Sequence, residues 1–207
     1  MKQIVWLLLL TLALTVAGFA NSVDFTNSGG TLSGSNAGLS LSGSTLIAIN
    51  APPLGLITGD LGSVTFSTSA LSTGSLQTGG TFAAGGSFVI TGNGTDGIPN
   101  GVIFSGTFSG PVTWTLITLS NGTHNYTLTG ALTGTWFTGQ AVQGATVQLT
   151  VNTGKGFFNG STTLSSGDTN ITGNGLRMIV TPEPASISLL GTGLISLAGI
   201  LRRKLKQ

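Results

Sequence analysis

Asn125-Tyr126-Thr127-Leu128-Thr129-Gly130-Ala131-Leu132-Thr133-Gly134-Thr135-Trp136 is the stretch that decides the fold. Tyr126, Leu128, Leu132 and Trp136 share one parity, and Asn125, Thr127, Thr129, Thr133 and Thr135 the other. That is the period-2 signature of a strand with one face in a core and one in water. The alternation returns downstream, with Val147, Leu149 and Val151 against Thr146, Gln148 and Thr150. Upstream, Val102, Phe104 and Phe108 share a face. Val112 to Leu119 is apolar on both parities and reads as the most central strand. Asn121-Gly122 and Asn159-Gly160 predict tight two-residue hairpins, the first joining the Val112 and Asn125 strands and the second joining Phe157-Phe158 to Thr162-Leu164. Gly110-Pro111 turns the chain ahead of Val112, while Gln143-Gly144 and Asn152-Thr153-Gly154 bound the strand around Ala145.

The first half is patterned more weakly. Thr45 to Asn50, Ser63 to Thr68 and Ser87 to Thr91 read as strands, and the Gly/Ser-rich run from Asn27 to Ser44 as an edge region or a partly ordered one. No segment of the body carries a 3.6-residue period. The expected fold is therefore all-β, an antiparallel β-sandwich or barrel-like body, with a β-solenoid as the second choice. No fixed repeat of 20 to 50 residues supports the solenoid. Cys is absent, so stability has to come from a packed core and paired backbone rather than from disulfides.

The inventory of side chains argues against catalysis. His124 is the one histidine and no Glu precedes Glu183, which leaves few parts for a nucleophile–base pair or a carboxylate pair. A Ser/His/Asp arrangement would need Asp96 or Asp168 beside His124, which instead reads as a solvent-exposed turn histidine just after Asn121-Gly122. No cofactor and no metal are expected, since one imidazole and scattered Asp residues make a poor zinc or iron site. The loop Gly92 to Gly101 offers oxygen donors at Asn93, Asp96 and Asn100 and looks like a depleted calcium loop. It holds one carboxylate where calcium sites collect several, and reads as a turn set by Gly and Pro. Asn93, Asn121, Asn125 and Asn159 each open a glycosylation acceptor pattern, which the turn chemistry of Asn and Gly accounts for.

The two ends carry the topology. Residues 1–20 read as a signal peptide: Lys2, the apolar run from Ile4 to Val16, then Ala17-Gly18-Phe19-Ala20, whose Gly18 and Ala20 suit the −3 and −1 positions of a signal peptidase site. Residues 21–180 form one Gly/Thr/Ser-rich β domain. Residues 181–207 run from Pro182-Glu183-Pro184 through an uncharged segment, 185–201, to Arg202-Arg203-Lys204-Leu205-Lys206. At about 1.5 Å per residue the uncharged segment covers roughly 25 Å, enough for a short transmembrane helix. Arg202, Arg203 and Lys204 then act as the membrane stop anchor on the cytoplasmic side and leave Pro182, Glu183 and Pro184 outside. These ends also supply the basic balance, a formal +2 with an isoelectric point near 9.4. In the body Lys155 and Arg177 stand against Asp24, Asp60, Asp96 and Asp168, so no nucleic-acid partner is expected.

Pro182-Glu183-Pro184, a short span containing Gly191, Gly193 and Gly199, and a terminal basic cluster, in that order behind an exported body, resemble the PEP-CTERM proteins of Gram-negative bacteria. The resemblance implies that Pro182, Glu183 and Pro184 are the sorting motif read by exosortase, an integral-membrane cysteine transpeptidase. It also implies delivery of the body to the cell surface or extracellular matrix. The body itself is expected to be non-enzymatic, its Thr, Asn and Gln side chains offering hydroxyls and amides to extracellular polysaccharide. The alternative is a carbohydrate-binding or adhesion module with exposed Trp114, Trp136 or Tyr126 as a stacking platform, although their alternation favours burial.

Overall fold

A computed structural model describes residues 20–174 together with Leu176 and Met178. The expected transmembrane helix and, but for Ala20, the signal helix lie outside those residues. Among them every regular element is a strand, and no helix is long and apolar enough to cross a membrane.

The decisive stretch forms β10 (His124–Trp136), which pairs along one whole edge with β11 (Ala141–Gly154). Its other edge is shared. Leu132 to Trp136 pairs with β8 (Asn100–Phe108), and His124 to Thr129 with β9 (Val112–Thr118). From β8 the sheet continues through β7 (Gly85–Asn93) and β4 (Gly55–Ser67) to β3 (Gly38–Ala51). β3 pairs with β1 (Ala20–Ser28), β1 with β12 (Ser161–Asn174), and β12 with β11. The ring β1-β12-β11-β10-β8-β7-β4-β3 is closed and every neighbour is antiparallel. A closed barrel thus replaces both the sandwich and the solenoid.

Four shorter strands extend one end. β2 (Thr31–Ser35) wedges between β12 and β3. β6 (Gly79–Phe82) follows β9, and β5 (Leu71–Ser75) follows β6. Thr68 N–H donates to Leu39 O at 2.8 Å and Leu71 N–H to Asn36 O at 2.9 Å, which ties the start of β5 back to the β2–β3 hairpin.

An eight-stranded barrel has an interior just wide enough for side chains to fill, and aromatics fill this one. Phe66 stacks on Phe88 at 6.1 Å, Phe108 meets both edge-on, and Phe25 packs on Trp136 at 6.1 Å. In the extended end Trp114 stacks on Tyr126 at 4.9 Å with Phe158 edge-on at 5.6 Å. The two Trp and the Tyr are buried, so the stacking platform they would have made is part of the core.

The structure corrects several local expectations. Val102 does not share the inner face of Phe104 and Phe108 but is 52% exposed. The register places Ile90 opposite Phe104 and Thr91 opposite Val102, so Ile103 is the extra residue of a β-bulge and reverses the parity before it. The Val112 strand is not the most central, because Ile117 and Leu119 lie on the outer wall and are exposed. The Asn121-Gly122 hairpin has a three-residue loop closed by Leu119 N–H to Thr123 O at 2.8 Å, with Gly122 alone at positive φ, 79°. Gln143-Gly144 lies within β11 rather than ahead of it. Phe157-Phe158 is loop, not strand, and the run from Asn27 to Ser44 is the end of β1, β2 and the start of β3, joined at residues 29–30 and 36–37.

Ala20 pairs with Asn174, so β1 begins and β12 ends at one end of the barrel, beside the turns at Ala51–Gly55, 93–100 and 136–141, and beyond β12 Leu176 and Met178 are buried in the core. The turns at 119–123 and 154–161 stand at the opposite end.

Candidate functional site

That opposite end gathers unusual residues. His124 opens β10 on the inner parity and is buried, not the solvent-exposed turn histidine the sequence suggests. Its Nδ1 lies 3.1 Å from Thr118 Oγ1 on β9, and its ring is stacked on Phe157, with centroids 4.5 Å apart and planes 15° apart. Phe157 is 52% exposed, the one exposed aromatic among the described residues.

The loop that carries Phe157 is held at both feet. Gly154 and Gly160 reverse the chain at φ 68° and 104°, a region that side chains disfavour. Thr153 Oγ1 donates to Gly156 O at 2.6 Å. Phe158 N–H donates to the Tyr126 hydroxyl at 3.1 Å, and that hydroxyl donates to Gln77 O at 2.7 Å. Gly34 N–H donates to Gly160 O at 2.8 Å. With Phe158 anchored inward, Phe157 is presented on the crest. Lys155, two residues earlier, is exposed and is the only Lys or Arg among the described residues. Asp24, Asp60 and Asp96 stand toward the other end of the barrel, and Asp168 midway along the wall.

The wall is a second surface of a different kind. Thr26, Asp168, Gln148, Thr129, Thr113, Thr81 and Thr73 are register partners in succession across β1, β12, β11, β10, β9, β6 and β5. At about 4.8 Å between strands this polar line runs roughly 29 Å around the barrel. It crosses a shallow trough of about 670 Å³ whose lining also includes Asp24 and Thr146. Asn170 Nδ2 donates to Asp24 Oδ1, and Thr26 Oγ1 donates to Asp168 Oδ1 at 2.9 Å. The trough holds hydroxyl, amide and carboxylate groups and no exposed aromatic or cation.

The other residues singled out by sequence are not assembled into a site. Pro182, Glu183, Pro184, Arg202, Arg203 and Lys204 lie outside the described residues. Asp96 sits at the far end of the barrel from His124, and Asp168 faces outward while His124 faces inward, so no Ser/His/Asp arrangement forms. In the loop after β7 the Asn93 Oδ1 accepts from Thr95 N–H at 3.1 Å and Thr95 Oγ1 at 2.7 Å, and its Nδ2 donates to Asp60 O at 2.7 Å. Asn121 Oδ1 accepts from Thr123 N–H and Oγ1 at 3.0 and 2.7 Å in the same way. The repeated Asn-Gly-Thr is therefore a turn device, which accounts for two of the acceptor patterns. Among the described residues no three His, Cys, Asp or Glu side chains gather.

Sequence reasoning missed Phe157 because adjacent apolar residues read as strand. The signal was there: Gly154, Gly156 and Gly160 within seven residues are poor strand material. Comparison with protein-family models, curated proteins and solved structures finds no match for the chain.

Proposed function

We propose that this is a non-enzymatic, exported barrel, anchored as a precursor in the inner membrane by its C-terminal tail and then delivered to the cell surface or extracellular matrix. The partners on that route are a signal peptidase and an exosortase-type transpeptidase acting at Pro182-Glu183-Pro184. The observation that carries the reading is the pairing of Ala20 with Asn174. β1 begins and β12 ends at the same end of the barrel, and on this reading a tail-anchored precursor holds that end toward the bilayer and turns the Phe157 end outward. The interior supports a structural role, since inward positions are filled by packed aromatics.

The test is tail processing in a host that carries the sorting peptidase. Glu183→Ala is expected to retain the protein in the inner membrane, and intact-mass measurement of surface-released wild type to show no residues beyond the motif region. Recovery of the 189–206 segment in the released material would overturn the reading.

A further inference from the structure

We propose that the Phe157 crest is a binding site for an acidic polysaccharide: one pyranose ring lays its C–H face on the outer face of Phe157, and the carboxylate of that sugar or its neighbour meets Lys155. This deepens the surface-protein reading, on which it rests only for access to the extracellular matrix.

Three features that are each single among the described residues meet here. Phe157 is the exposed aromatic, Lys155 the cation and His124 the imidazole. A sugar ring presents apolar C–H groups on one face and needs a flat, polarisable partner. Phe157 has one ring face against His124 at 4.5 Å and is 52% exposed. Because His124 is itself fixed by Thr118, and the loop by Tyr126 and Gly34, the aromatic is already ordered. Stacking a sugar on it therefore sacrifices little side-chain freedom. At the foot of the same loop Asn152 Nδ2 donates to Asn125 Oδ1 at 2.6 Å, which holds two amides in place for sugar hydroxyls.

Charge selects the kind of sugar. The carboxylates of the barrel lie along its wall or toward its other end, whereas Lys155 has no ion-pair partner among the described residues. A uronate supplies the missing anion. A lipid surface fits less well, since one aromatic and one cation give weak membrane attachment, and β1 begins and β12 ends at the opposite end of the barrel. A site for one or two sugar units is weak alone. A polymer with repeated units, or many barrels in one matrix, multiplies it through effective concentration.

The test is affinity electrophoresis of the detergent-solubilised full chain, with Arg202→Gln, Arg203→Gln, Lys204→Gln and Lys206→Gln as the common background so that the terminal basic cluster does not itself bind a polyanion, through gels holding polygalacturonate or alginate, with dextran as the neutral control and phosphatidylglycerol vesicles in a parallel flotation assay. Retardation by the polyuronates is expected at about 20 mM salt and is lost near 500 mM, where charges are screened within about 4 Å. Phe157→Ala and Lys155→Gln should each weaken retardation about fivefold or more, a loss near 1 kcal/mol. Phe157→Trp should retain it. Because both side chains are exposed, unchanged denaturation midpoints separate lost binding from lost folding. Retardation of Phe157→Ala equal to wild type, equal retardation by dextran, absence of retardation by either polyuronate, or binding to vesicles alone would each overturn the proposal. Solubilised protein bypasses sorting, so failure here leaves tail processing standing, and failed processing leaves this assay untouched.

Discussion

Replacing Tyr126 by Phe removes one oxygen atom and tests what holds the Phe157 end of the barrel together. The ring would keep its stack on Trp114 at 4.9 Å and its edge contact with Phe158 at 6.2 Å, so packing is conserved. The hydroxyl makes two bonds, accepting from Phe158 N–H at 3.1 Å and donating to Gln77 O at 2.7 Å. Those partners differ in what they lose. Gln77 is exposed and its carbonyl can turn to water, so that half of the change is a net bond of about 0.5–1.5 kcal/mol. Phe158 N–H is buried and would be orphaned, at about 1–3 kcal/mol. The sum is about 1.5–4.5 kcal/mol, a sizeable share of the ~5–15 kcal/mol typical of a domain. With a urea slope of about 2 kcal/mol per molar, the midpoint should fall by about 1–2 M at unchanged slope. Hydrogen exchange should show the faster opening centred on residues 155–160 and 76–78. A midpoint within about 0.2 M of wild type would refute the argument, because the crest would then be held by something other than this hydroxyl.

Two glycines separate backbone strain from steric exclusion. Gly122→Val should destabilise by about 1–2 kcal/mol, since φ is 79° but an added Cβ meets nothing within 4 Å. Gly134→Ala, with no positive φ, places its Cβ 2.2 Å from Ser105 O and 2.6 Å from Gly106 Cα. It should cost more than Gly122→Val, about 3 kcal/mol or above, by forcing β10 from β8, and equal losses at the two sites in denaturant titrations would undo the distinction. Thr169→Val should be neutral or raise the melting temperature, because the Thr169 Oγ1 is buried without a partner; a clear fall would show that the hydroxyl is satisfied in solution.

Much of the strand content was legible because it is local. In β10 and β11 alternate residues face a core, and Tyr126, Leu128, Leu132 and Trp136 are buried as their parity requires. Closure was not legible. The pairing of Val23 with Ile171 and of Phe25 with Thr169 joins residues almost the whole domain apart, and no short window records it. The first half hid its strands for a compositional reason. Gly30, Gly62 and Gly86 stand where an added Cβ would meet backbone at 2.0 to 2.5 Å, so close approach put glycine where apolar periodicity would otherwise show. Parity also fails wherever one residue is inserted, and Ile103 shows the effect by sending Val102 outward. The crest escaped notice because Phe157 and Phe158 look equivalent in sequence, and the bond from Phe158 N–H to Tyr126 and the Phe158 ring contacts with Trp114 and Tyr126 are what make one of them inner.

Closure also answers a difficulty raised by composition. With 6% charged residues the surface has little electrostatic repulsion to keep copies apart, and long hydroxyl-lined strands with open edges would invite pairing between molecules. The ring from β1 through β12 to β3 has no edge to offer. The sheet path ends at β5, five residues long, whose first N–H is already given to Asn36 O. Pairing has been satisfied internally where charge would otherwise be needed. The wall this leaves is the inverse of a lipid-spanning barrel, which places apolar residues outward and polar ones within. Here Thr127, Thr129, Thr146 and Gln148 face out over Leu128, Val147 and Leu149, so the outer face of β10 and β11 is polar and their inner face apolar. A barrel built this way can be crowded at a surface without using its backbone for adhesion. Selective contact is then left to the few side chains that depart from the pattern, of which Phe157 and Lys155 are placed together on the end opposite the start of β1 and the end of β12.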